Sequence, residues 1–436
     1  MITRRLNLNI LLTTVTLFLI AGCGGGDSSK YSTNNVETPT KNIIDVYDKD
    51  SKYSEVIVGC VAKSTYNAGC SLDTLPIIAL SSTSSDARSL KRVSDFTPTK
   101  EQILERLVVS DKWMGDNFSI MLDHLPEDIK KLFGAVTAIV ISKDIIPSYY
   151  SPSTGAIYLD PRYFWFTPEE AKTILEKEDY RSNYGKSLQF IPAWRYIKEN
   201  DYAYKSYSID SGKTRTPEDI KLSLARLLYH ELAHANDFVA NIDKADKNKK
   251  IGDALEEFID QSPSALLNDK YPLKDADLKS LAGVLYRGDP STERLNALTS
   301  ADVGKKFESD GADDLYGFNN RFEDFAMLFE ATMMKKNFQV ERDVAFLSKD
   351  SSYTVGWGER NRIASESVKE RAKFVANQLL PSDEWDQFFD SDVGSLQKLN
   401  NVGWFDSVDI NSSETQRRLK TLSSGVKIMD FKSPEY

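Results

Sequence analysis

Two of the chain's three histidines stand four residues apart, in His230-Glu231-Leu232-Ala233-His234, and this segment constrains the fold more than any other. It follows Thr216-Pro217-Glu218-Asp219, a helix start with a capping Thr, Pro in the first helical position and acids in the first turn. The helix then carries Ile220, Leu222, Leu224, Leu227 and Leu228, so apolar residues occupy most of its faces. A helix apolar nearly all round is buried. Inside it, polar groups need partners. Side chains four apart project from one face, about 6 Å from each other. Two imidazoles so placed can both reach one Zn2+ at about 2.0–2.1 Å. Glu231 is then poised to take a proton from a water on that ion and pass it to a leaving amine. The chain is therefore expected to be built around a buried metal helix.

A catalytic zinc needs a third protein ligand. His124, the remaining histidine, lies at a helix end in Met121-Leu122-Asp123-His124-Leu125-Pro126 and reads as a solvated or capping residue. The metzincin continuation is absent, because Asp237 and Ala240 stand where its Gly and His belong. The third ligand should be a carboxylate. Glu323 is the leading candidate: Asn319 or Asn320 caps a helix with Glu323 in its first turn, while Phe322, Phe325 and Phe329 pack. Glu256 or Glu257, 22 and 23 residues past His234, and Asp313 remain as rivals.

His230-Glu231-Leu232-Ala233-His234-Ala235-Asn236-Asp237 resembles the H-E-x-x-H-A-x-D stretch of zinc metallopeptidases of the anthrax lethal factor type. Glu323-Asp324-Phe325-Ala326 resembles that group's E-x-F-A-E segment, whose first Glu binds zinc. The resemblance implies a zincin-like fold, metal ligands His230, His234 and Glu323, and Glu231 as general base and acid. It also implies a phenol seven residues before the ligand Glu, here Tyr316, that assists the oxyanion or leaving group. Met327 replaces the family's second Glu, and the 89-residue interval from His234 to Glu323 is long. Asp237, three residues after His234, is expected to orient a ligand imidazole, and Asp324 is a further candidate for that role.

The N-terminus reads as an address. Arg4-Arg5, a short apolar run and Ala21-Gly22-Cys23 have the parts of an export signal. Ile20-Ala21-Gly22-Cys23 resembles a bacterial lipobox, which implies cleavage before Cys23 and a lipid anchor on its sulfur. Gly24 after the Cys, by analogy with Gram-negative lipoproteins, points to the outer membrane of the cell envelope. In that oxidising compartment Cys60 and Cys70, the only other cysteines, are expected to pair as a disulfide. Net charge is -10, with no basic block, which argues against nucleic-acid partners.

The organisation expected is a signal peptide at 1–23, a linker at 24–42 and a small β-rich appendage with a second linker at 43–98. A catalytic domain at 99–380 and an aromatic C-terminal tail at 381–436 that packs on it would come next. The fold class is α+β: a small mixed sheet before the metal helix, from strands at Phe133–Ile141 and Gly155–Asp160, then a chain mostly helical from Phe166 to Leu380. The second strand suits either an edge that pairs with an extended peptide or an inner position. The function expected is an exported, lipid-anchored zinc metallopeptidase acting on a peptide or protein substrate. A zinc amidase of peptidoglycan cross-links and a non-catalytic surface lipoprotein that binds a partner are the alternatives.

Overall fold

The computed structural model describes residues 44–62, 69–81, 93–176, 179–399 and 401–408. The signal segment, Cys23 and the 24–42 linker lie outside the described residues, as do all of 82–92 and 409–436. The class is α+β, with two five-stranded sheets.

The first sheet precedes the helix that carries His230 and His234. Its strands are β1 (Asp45–Val46), β2 (Leu107–Val109), β3 (Ile139–Ile141), β4 (Tyr149–Ser151) and β5 (Ala156–Leu159), in the order β1-β2-β3-β5-β4. β2, β3 and β5 run parallel, Leu107 opposite Ile139 and Ile139 opposite Ile157, while β1 and β4 close the ends antiparallel. β2, β3 and β5 are buried throughout, as parallel strands covered on both faces should be. Two expectations change. The Phe133–Ile141 run is a strand only at its end, because Phe133–Ala135 forms a 3-10 turn continuing the preceding helix. β5 is an inner strand, hydrogen-bonded to β3 and β4, and the edge belongs to β4.

The second sheet was not expected. Its strands are β6 (Phe190–Lys198), β7 (Asp201–Tyr202), β8 (Glu341–Ser348), β9 (Val355–Arg360) and β10 (Gln397–Lys398), all antiparallel in the order β10-β9-β8-β6-β7. Buried charge obscures its apolar alternation. Arg195 on β6 lies opposite Asp343 on β8 and donates to it at 2.9 Å, and Arg360 on β9 donates to the same carboxylate at 2.6 Å. All three side chains are buried. The chain between Phe166 and Leu380 is thus less helical than its sequence suggests.

Among the described residues the six longer helices are α1 (Lys112–His124), α2 (Pro217–Phe238), α3 (Pro263–Lys270), α4 (Ser300–Glu308), α5 (Arg321–Phe338) and α6 (Lys369–Leu379). α2 starts with a capping box, in which the Thr216 hydroxyl accepts from Asp219 N and the Asp219 carboxylate accepts from Thr216 N at 2.8 Å. α2 and α5 pack on each other inside the main core, and α2 also meets β4 and β5. Among the described residues no helix is long and apolar enough to cross a membrane.

The described residues of the 43–98 segment are neither β-rich nor set apart. Ile57–Val61 and Ile78–Ser81 are short helices, and Ile57, Val61, Leu72, Leu75 and Ile77 belong to the core that holds α2. Ser54–Val58 coils because turn bonds such as Ile57 N to Tyr53 O, 2.9 Å, capture its backbone. Cys60 and Cys70 are joined by a disulfide with Cα atoms 5.4 Å apart. Beyond α6, Trp385, Phe388 and Phe389 lie in the same core, and Trp404 packs with Ile191 and Val355 against the second sheet.

Candidate metal centre

His230 and His234 stand one turn apart on α2 and turn their Nε2 atoms towards each other, 3.3 Å apart. Glu323 enters from the first turn of α5. Asn320 fixes that turn, its side-chain oxygen accepting from Phe322 N and Glu323 N at 2.9 Å each. Glu323 Oε2 lies 3.2 Å from His230 Nε2 and 3.4 Å from His234 Nε2. Among the described residues, these three are the group able to hold a metal ion.

The lengths of this triangle are a test of fit. Four ligands at about 2.0–2.1 Å around a tetrahedral zinc stand about 3.3–3.4 Å from one another. The observed 3.2, 3.3 and 3.4 Å match that edge on all three sides. Hydrogen bonding alone explains the triangle poorly. One face-to-face pair of imidazole nitrogens needs a proton between them, and a carboxylate adds an acceptor but no proton. A dication at the centre satisfies all three atoms at once.

The electrostatics agree. Burial works against charge on His230, but the Glu323 and Glu330 carboxylates outweigh it and raise its pKa. Burial likewise opposes ionisation of Glu323, yet His234 and His230 hold its carboxyl well below the usual range. Both directions describe a buried centre that favours added positive charge. Glu231 is buried beside the triangle. Burial pushes its pKa up against the pull of His230 and His234. Its carboxylate has no hydrogen-bond partner among the described residues, which leaves it available to a water or substrate.

Tyr316 sits in the turn Leu315–Phe318, and its phenol O–H donates to Glu323 Oε1 at 3.1 Å. Tyr286 packs edge-on against its ring, with centroids 4.7 Å apart. The third-ligand rivals lie elsewhere. Glu256 ends a short helix away from the triangle, and Glu257 pairs with Lys249 at 3.0 Å. Asp313 is buried against Arg342, 3.8 Å away, with neither carboxylate oxygen hydrogen-bonded, and burial lifts its pKa to about 7.

Neither of the two residues expected to orient ligands hydrogen-bonds a ligand imidazole. Asp237 turns to the start of α3, where its Oδ1 accepts from Ser264 N at 2.7 Å, and it makes no hydrogen bond to His234. A backbone N–H left without an intrahelical partner at a helix start is the stronger attraction for a carboxylate. Asp324 faces α6, where Arg371 donates to both its oxygens. The residue that does meet a ligand imidazole is Glu330. It is fully buried on α5, with Oε2 3.0 Å from His230 Nδ1. A signal for it existed: a lone carboxylate in Met327-Leu328-Phe329-Glu330-Ala331-Thr332-Met333, two turns after Glu323 and so on the same face.

No family model matches the chain, and no curated protein or solved structure matches it either.

Proposed function

We propose that the chain is an exported, lipid-anchored zinc metallopeptidase with a zincin-like catalytic domain that hydrolyses peptide bonds. The observation that carries this reading is the His230–His234–Glu323 triangle, with edges of 3.2–3.4 Å, beside a buried Glu231 carboxylate that has no hydrogen-bond partner among the described residues. The resemblance of the two short motifs to the lethal factor type of metallopeptidase supports it, as does the lipobox-like stretch ending at Cys23.

His230, His234 and Glu323 would hold the ion. Zinc in such a site supplies a Lewis acid and makes water a usable nucleophile near neutral pH. Glu231 takes the proton of the attacking water and returns it to the leaving amine. Tyr316, whose O–H already points into the site, donates to the substrate oxygen on which charge develops. β4, at the end of the first sheet and packed against α2, offers an edge to which an extended peptide could add as a strand.

The test uses the soluble chain starting at Gly24, its metal content and its hydrolysis of extended peptides. One zinc per chain is expected, lost in Glu323→Ala and kept in Glu256→Ala. Glu231→Gln should keep the zinc and lose about 10²–10⁴-fold in rate. A wild-type chain that takes up no zinc even when zinc is supplied would end the reading, as would a Glu231→Gln chain of undiminished activity.

A further inference from the structure

We infer that Glu330 and Arg342 are positioning residues that fix the ligand His230 and the phenol Tyr316 as one unit. This rests on the zinc centre proposed above and assigns to it a support that neither motif contains.

The connections form a closed circuit. Glu330 Oε2 lies 3.0 Å from His230 Nδ1. Its Oε1 accepts from Tyr196 Oη on β6 at 2.8 Å and from Arg342 Nη1 on β8 at 2.9 Å. Arg342 Nη2 donates onward to Asp314 Oδ2 at 2.7 Å. Asp314 Oδ1 accepts from Tyr316 N at 2.7 Å and so holds the turn that carries the phenol. The Tyr316 O–H then reaches Glu323 Oε1 at 3.1 Å, which returns the circuit to the triangle. Glu330, Arg342, Tyr196 and Asp314 are all buried, and Arg342 lies over the Trp194 ring, 4.5 Å from its centroid.

Each link has a chemical consequence. A carboxylate only accepts, so it selects the His230 tautomer with the proton on Nδ1 and turns the Nε2 lone pair to the centre. Two donors from adjacent strands clamp Oε1, which leaves Oε2 little freedom to follow a rotating ring. Arg342, with one nitrogen on Glu330 and the other on Asp314, sets the distance between the ligand's support and the phenol's support. Its planar fork makes that spacing rigid where a lysine would not. Partners of this kind are worth about 10–100-fold in metal affinity or activity.

The test measures zinc affinity by competition with a chromophoric chelator, on purified full-length chain in detergent, and compares wild type, Glu330→Gln and Tyr196→Phe. The amide of Glu330→Gln keeps the shape but can donate to Nδ1 and favour the wrong tautomer. Its zinc dissociation constant should rise about 10–100-fold. The visible bands of the cobalt-loaded chain should shift, a readout that a purely structural role would leave unmoved. Tyr196→Phe releases one donor and should move both readouts the same way by less, and it decides the matter if Glu330→Gln does not fold. A wild type that loads zinc while the folded variants load it equally well, with unchanged cobalt bands, overturns this inference alone. A wild type that takes no zinc overturns the metallopeptidase reading, and this inference with it.

Discussion

Replacing Arg371 with Met should destabilise the chain by an amount that depends on pH. Arg371 on α6 donates to both oxygens of Asp324, to Gly311 O at 2.6 Å and to Tyr271 O at 3.1 Å, and both charged side chains are buried. Tyr271, Gly311 and Arg371 line a pocket of ≈ 680 Å³, from which water can replace the guanidinium at the two carbonyls. The Asp324 carboxylate has no such relief. Breaking a buried pair by removing one partner costs about 3–5 kcal/mol, because the other charge is stranded. Burial already raises the Asp324 pKa against the pull of Arg371, and without the cation it rises further. The folded variant then binds a proton that the unfolded chain does not, so stability falls as pH rises through that window. At pH 8 the full loss of about 3–5 kcal/mol is expected. Below the shifted pKa the loss should shrink by up to about 1.4 kcal/mol per pH unit. Urea titrations between pH 5 and pH 8 would read this as a midpoint shift at constant slope. Arg371→Met with Asp324→Asn should recover most of the loss at pH 8. A loss equal at every pH, or a double variant as unstable as the single one, would refute the reasoning. Zinc content should stay at that of wild type throughout, since Asp324 faces α6 and not the triangle.

Two further outcomes concern buried groups outside the His230–His234–Glu323 triangle. Asp313, with a folded pKa of about 7 against an ordinary 3.8, binds its proton more tightly when folded, so it withdraws stability as pH climbs from about 4 to 7. Asp313→Asn should therefore stabilise the chain at pH 8 by up to about 4 kcal/mol and change little at pH 4. Urea midpoints that move equally at both pH values would contradict this. The Cys60–Cys70 bond closes a separation of 10 residues, and a loop that short restricts the unfolded chain by about 2–3 kcal/mol. Replacing both cysteines with Ser should lower the melting temperature, and an unchanged melt would show that Ile57, Val61 and Leu72 hold the segment without it.

What could be read from the sequence was local. The α2 start at Thr216, the one-turn spacing of His230 and His234, and the Glu323 helix start at Asn319 or Asn320 depend on residues within a turn or two of each other. The structure brings these elements together and selects Asn320 as the cap. The second sheet was illegible because Arg195, Arg342, Asp343 and Arg360 occupy inward positions where apolar residues would mark a strand. Their partners lie in other elements, in neighbouring strands for Arg195 and Arg360 and on α5 for Arg342, which no local pattern names. Asp237 and Asp324 show the same limit. Helical spacing gives the direction of a side chain, but Ser264 and Arg371, distant in sequence, decide what it meets. Glu330 falls outside both motifs, and only its isolation among apolar neighbours marks it in the sequence.

The pairing of β6 with β8 bears on how the chain folds. Arg195 and Asp343 are joined across 148 positions, and α2, the Tyr316 turn and α5 all lie on the excursion between these strands. Closing a loop of that length costs about 4 kcal/mol of chain entropy before any contact within it contributes. Glu330 takes its clamp from Tyr196 and Arg342, one on each of these strands, so His230 gains its final support only after that closure. The proposed metal centre should therefore mature late, and until it does the edges of β6 and β8 stand open to other chains.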